Sequence, residues 1–91
     1  MRLWFKIWKD ARLKEELTVE VFEGSRTRRV FDALEQASEA FNLSVPIWLD
    51  KNIKDFKKFS RCRFNADNYI ESIDFDHLEM IVLDEDWVYE E

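Results

Sequence analysis

Only one glycine (Gly24), one proline (Pro46), one cysteine (Cys62) and one histidine (His77) occur among the 91 residues. A single glycine cannot supply a phosphate-cradling loop, a dinucleotide fingerprint or a nucleophile elbow, each of which needs several positions of close backbone approach. One cysteine forms no intramolecular disulfide and no cysteine-based zinc site, and it suits a reduced compartment. Apolar runs are short. None nears the roughly 18 residues that cross a bilayer, and the N-terminus carries no signal-peptide apolar stretch. The expected location is the cytoplasm, with no membrane partner, and the sequon-like Asn42-Leu43-Ser44 then carries nothing. Basic residues also stop early: all 14 Lys/Arg and 10 of the 20 acids fall in residues 1–63, for +4. Residues 64–91 hold the other 10 acids and reach −10, so the net −6 conceals a split. Such asymmetry marks a nucleic-acid surface or an acidic tail.

What is present is a core. Hydrophobic residues make up 46% and aromatics 15%, too much for a disordered acidic chain and enough for one small domain. Arg2 to Lys9 alternates, with Leu3, Phe5 and Ile7 against Trp4, Lys6 and Trp8, which predicts a strand. Leu17 to Phe22 alternates likewise, and the charged stretch 10–16 reads as the connection of an antiparallel hairpin. Gly24-Ser25 punctuates, with Ser25 or Thr27 placed to cap a helix from Arg28 to about Asn42. Its apolar stripe is Val30, Leu34, Ala37 and Phe41. Pro46 forces extended chain at Val45. Asp50 can then cap a short helix from Lys51 to Phe59, with Ile53 and Phe56 inward. A short strand Arg61–Phe64, a helical turn around Asn68–Ile70 and a strand His77–Leu83 follow. Residues 1–83 form the domain, and 84–91 read as an acidic and aromatic tail.

The fold class is therefore α+β with the order ββααββ. A hairpin feeding a helix across a mixed sheet resembles the β-grasp, or ubiquitin-like, order, which implies a closing strand beside the first and parallel to it. Glu90-Glu91 stands where conjugating members end in Gly-Gly, which excludes that chemistry. Further blocks carry a second resemblance: Phe5-Lys6-Ile7-Trp8-Lys9-Asp10, Pro46-Ile47-Trp48-Leu49-Asp50, Phe56-Lys57-Lys58-Phe59-Ser60 through Arg63-Phe64, and Ile73-Asp74-Phe75-Asp76. In these the chain resembles a set of small bacterial proteins, mostly from Gram-positive anaerobes, which implies a free-standing domain and brings no assigned activity.

Two constellations are candidates for function. Arg2, Trp4, Lys6 and Trp8 share one face of the first strand; Phe22 joins from the second, and Ile81 and Leu83 if the last strand is adjacent. With helices on the other side this is an exposed apolar patch crossed by cations, the kind of surface that binds a protein partner or a second copy. Trp87-Val88-Tyr89 folding back, or the short helix, are the competing covers. The alternative is a nucleic-acid surface from Lys54, Lys57, Lys58, Arg61 and Arg63, with Lys51 and interleaved Phe56, Phe59 and Phe64. Against it, cations at a helix end are favoured anyway, and the phenylalanines suit a core. Asp74, Asp76 and Glu79, or Asp84-Glu85-Asp86, lack the turn and spacing of a calcium loop and read as a solvated acidic edge. Cys62 alternates with two arginines and faces the core, so a Cys62–His77 pair is a poor nucleophile and base. The expectation is a binding module with no catalytic residue, cofactor or metal.

Overall fold

A computed structural model describes residues 1–85. The first hairpin closes on Asp10 and Ala11, whose φ angles of 53° and 63° place both in the left-handed region. Two consecutive left-handed residues are what the tightest hairpin turn requires, because its twist matches that of the flanking strands. The connection is thus two residues long instead of seven. Strand β1 (Arg2–Lys9) pairs with β2 (Arg12–Glu20), which starts five residues earlier than its alternation announces. Arg12-Leu13-Lys14-Glu15-Glu16 has a single apolar residue, the exposed Leu13, since this half of the strand overhangs the core.

Helix α1 (Arg26–Ala40) begins where the Ser25 hydroxyl accepts the Arg28 N–H at 3.2 Å. It ends at a left-handed Asn42, with the Asn42 and Leu43 N–H groups donating to the Glu39 and Ser38 carbonyls, the pattern that terminates many helices. Helix α2 (Asp50–Phe59) is capped differently from expectation. Leu49 holds the cap position, and its N–H donates to Asn52 Oδ1 at 3.0 Å, while Asp50 sits in the first turn facing the helix dipole. Its buried face is Asn52 and Phe56, one turn apart; Ile53, a hundred degrees round, is 41% exposed instead of inward. Ser60, left-handed at φ 57°, turns the chain directly into β3 (Arg61–Phe64). A single 3-10 turn (Ala66–Asn68) precedes β4 (His77–Asp84).

The sheet order is β2-β1-β4-β3, and every neighbouring pair is antiparallel. The closing strand does lie beside β1, but it runs antiparallel to it. The sheet is therefore not mixed, and the parallel pair of the β-grasp order is absent among the described residues. Strand β3 leaves α2 directly at the Ser60 corner, and β4 runs against both β3 and β1.

One sheet face forms the core with both helices. Leu3, Phe5, Ile7, Val19, Leu78, Met80, Cys62 and Phe64 meet Val30, Ala33, Leu34 and Ala37 of α1 and Phe56 of α2. Helix α1 packs on β1 and β2, and α2 beside β3. Trp48 wedges in the same layer, edge-on to Phe31, Phe56 and Phe64 at 5.9, 5.8 and 5.1 Å. Two buried amides lock the loops together. Asn68 Nδ2 donates to Asn52 Oδ1 at 2.6 Å and the Ile47 carbonyl at 2.7 Å, and Asn52 Nδ2 donates to the Arg63 carbonyl at 2.7 Å. No helix among the described residues is long and apolar enough to cross a membrane.

Candidate functional site: the open sheet face

Alternation sends the other half of each strand to the face opposite the helices. The pairing registers arrange these residues in rows across the sheet. One row is Thr18, Trp4, Ile81 and Arg61; the next is Glu16, Lys6, Glu79 and Arg63; a third is Leu13, Trp8 and His77. Trp4, Lys6, Trp8 and Ile81 are thus brought together as the sequence suggests. Phe22 follows β2, 64% exposed, and Leu83 is the extra residue of a bulge opposite Arg2 and Leu3, 42% exposed. Trp87 and the tail from 86 onward lie outside the described residues. Asp84, assigned to the tail by sequence, is the last residue of β4 and pairs with Arg2 at 2.7 Å.

The centre of this face is less bare than the residue types imply. Lys6 Nζ lies 3.7 Å from the centre of the Trp4 ring and 5.7 Å from that of Trp8, and 3.9 Å from Glu79 Oε1. A cation over an indole face is stabilised by the ring quadrupole, the more so when partly desolvated. Each indole is also pinned by its N–H: Trp4 Nε1 donates to Glu16 Oε1 at 2.9 Å, and Trp8 Nε1 to Glu79 Oε1 at 3.1 Å. Trp4, Lys6, Trp8 and Ile81 are half-buried by one another, not exposed. The result is a held aromatic platform with charged edges. Two of its members, Glu16 and Glu79, were not singled out as binding residues by sequence. Glu16 lies in the stretch that reads as a connection. Glu79 is weighed in the sequence only as a metal ligand beside Asp74 and Asp76, and reads as part of a solvated acidic edge.

Charge is laid out by strand. The outer edge at β2 presents Glu16 and Glu20, whereas β3 presents Arg61 and Arg63, which take no ion pair with another described residue. Desolvation and the Arg63 guanidinium lower the pKa of His77 from its ordinary 6.5, with Glu79 and Asp76 opposing, so the imidazole is neutral at pH 7.

At the β3 edge a cleft of about 540 Å³ runs from α2 onto the open face, lined by Lys51 and Asp55 of the helix and by Arg61, Arg63, His77 and Glu79 of the sheet. Its cations are accompanied by Asp55, Asp67, Asp76 and Glu79, whose field opposes a phosphate chain. Lys54, Lys57 and Lys58 lie outside it on α2, with Lys58 over the Phe59 ring at 5.3 Å. The five proposed nucleic-acid residues therefore divide between two surfaces. Cys62 faces the core, and burial pushes its thiol up to about 12, with Asp55 adding to the shift. A thiol protonated at neutral pH is no nucleophile. Searched against protein families, curated proteins and solved structures, the chain matches none.

Proposed function

We propose that this chain is a protein-interaction module and that the open sheet face is its docking surface. The observation that carries the reading is the Trp4–Lys6–Trp8 platform, built on the face opposite both helices. An antiparallel sheet can leave one face to water, but that face then reads as polar alternation. Here its middle rows hold two tryptophans and Ile81. Tryptophans fixed by hydrogen bonds have little rotamer freedom left to lose on binding, which favours affinity. Resemblance to small free-standing bacterial domains is consistent with such a module acting in the cytoplasm.

Capture from a native lysate tests this, run in parallel with wild type and Trp8→Ala, alongside light scattering of the purified chains. Proteins, or copies of the chain itself, held by wild type and released by the variant are expected. Identical captured sets and identical masses for both would overturn the proposal. A nucleic-acid role through Arg61, Arg63 and the α2 lysines is the second reading, favoured only by the lack of described ion-pair partners for these cations. It requires retention of RNA or DNA that falls steeply with salt.

A further inference from the structure

Resting on that reading, we infer that the occupant of the open face is a second copy of this chain, stacked sheet on sheet about a twofold axis parallel to the strands. The register decides the axis. Strand order across the face is β2, β1, β4, β3. Along β2, Glu16 and Glu20 follow the cations Arg12 and Lys14, and β3 carries Arg61 and Arg63 beside Asp55, Asp67 and Asp76 of the adjoining cleft. The direct Glu16–Arg63 pairing, not the net field of the edge, therefore carries the match. A twofold axis between the two sheets and along the strands exchanges left and right while keeping each row level. It lays β2 of one copy over β3 of the other, and β1 over β4. Glu16 then meets the partner's Arg63, Thr18 the partner's Arg61, and Lys6 the partner's Glu79. Trp4 covers the partner's Ile81, and Trp8 covers the partner's neutral His77. Every contact occurs twice, as an isologous interface demands.

The other in-plane axis, across the strands through the Lys6 row, places Lys6 on Lys6, Glu16 on Glu16 and Arg63 on Arg63. Like charges brought together at an interface cost several kcal/mol, so the face is complementary to itself about the axis along the strands and repulsive about a cross-strand axis through the Lys6 row. Sheet twist does not spoil the match. Aligned sheets cross at about 30°, which displaces strands at the edge of a four-stranded sheet by about 4 Å, short of the roughly 7 Å between rows on one face. The pairings stay within reach of Glu and Arg side chains. The Trp4 and Trp8 rows would close on either side of the central Lys6–Glu79 row, whose two ends carry the Glu16–Arg63 pairs.

Charge exchange tests the inference. Glu16 and Arg63 are exposed in the monomer, so reversing either leaves the core untouched, and circular dichroism verifies folding. Because Glu16 also accepts the Trp4 N–H, Glu16→Gln, which keeps an acceptor there, separates that loss from the charge reversal. Sedimentation of wild type should give a dimer. Glu16→Arg and Arg63→Glu should each raise the dissociation constant about tenfold or more, and the double variant Glu16→Arg/Arg63→Glu should regain the dimer, since each new arginine meets a new glutamate. A wild type that stays monomeric at high concentration overturns the second copy, while the lysate comparison with Trp8→Ala still decides the wider reading. A dimer indifferent to both reversals, or one that the double variant fails to restore, overturns the twofold arrangement.

Discussion

Scarcity of glycine is felt at single residues. Gly24 occupies one positive-φ position, at 98°, but Asp10, Ala11, Asn42 and Ser60 take four more without the freedom that glycine has. Asp, Asn and Ser offset part of the strain with short polar side chains; alanine has no such compensation, and a left-handed L-residue costs about 1–2 kcal/mol. Ala11→Gly should stabilise the protein by about 0.5–1 kcal/mol, after allowing for the greater freedom glycine gives the unfolded chain. A thermal midpoint a few degrees higher is the expected readout, and an unchanged or lower one would contradict a left-handed Ala11. His77 makes a second residue-scale prediction. Its pKa is lowered in the fold, so as pH falls below 6.5 the unfolded chain takes up the proton first and stability drops until the folded form titrates too. His77→Gln removes that slope while leaving the carboxylates as they are. Melting curves taken from about pH 7 to pH 5.5 should show wild type losing more than the variant; parallel losses would mean an unshifted imidazole.

At the scale of elements, what the sequence made legible was whatever repeated with a clean period. β1, β3 and β4 alternate, α1 carries its stripe, and the division of β1 and β4 residues between the two sheet faces follows directly. Three features escaped for physical reasons. The first half of β2 has no apolar face because it overhangs the core, so its pairing comes from the Asp10-Ala11 turn. The direction of β4 rests on its long-range antiparallel pairing with β1 and β3, which no local periodicity encodes. Asn52 and Asn68 fall on elements read from sequence, but nothing in their polar amides announces burial; they are 4% and 2% exposed and hold four segments together. Each also caps a turn three residues after its start, a pattern visible at Leu49–Asn52 and Asn65–Asn68 once the turns are known. Asn68→Ala strips donors from the Ile47 carbonyl and Asn52, and strips the acceptor from the Asn65 N–H. Leaving such groups buried and unpaired should cost about 2–4 kcal/mol. A lower urea midpoint at unchanged slope is expected, whereas Asn65→Ala, which removes one exposed bond to the Asp67 N–H, should cost less than about 1 kcal/mol. Equal losses would deny the amide pair its role.

For the molecule as a whole, one sheet serves two ends: its inner face provides stability, and its outer face is free to be specialised. The two differ in what a truncation should do. Phe64 is fully buried on the inner face, edge-on to Trp48, and Phe64→Ala opens a cavity worth about 3–5 kcal/mol. Against a total of roughly 5–15 kcal/mol for a typical domain, that brings a 91-residue chain close to unfolding. Trp8 is half-buried on the outer face, where it gives up one hydrogen bond and a distant lysine contact. Its neighbours there have solvent at hand, so Trp8→Ala should cost about 1 kcal/mol in the monomer. Denaturation of the two variants at a protein concentration low enough to keep the chain monomeric separates the faces. A large drop for Phe64→Ala with a small one for Trp8→Ala means that the platform is dispensable to folding. A drop of 3 kcal/mol or more for both would mean that the tryptophan face is a second core, and its residues would then be accounted for by stability without any partner.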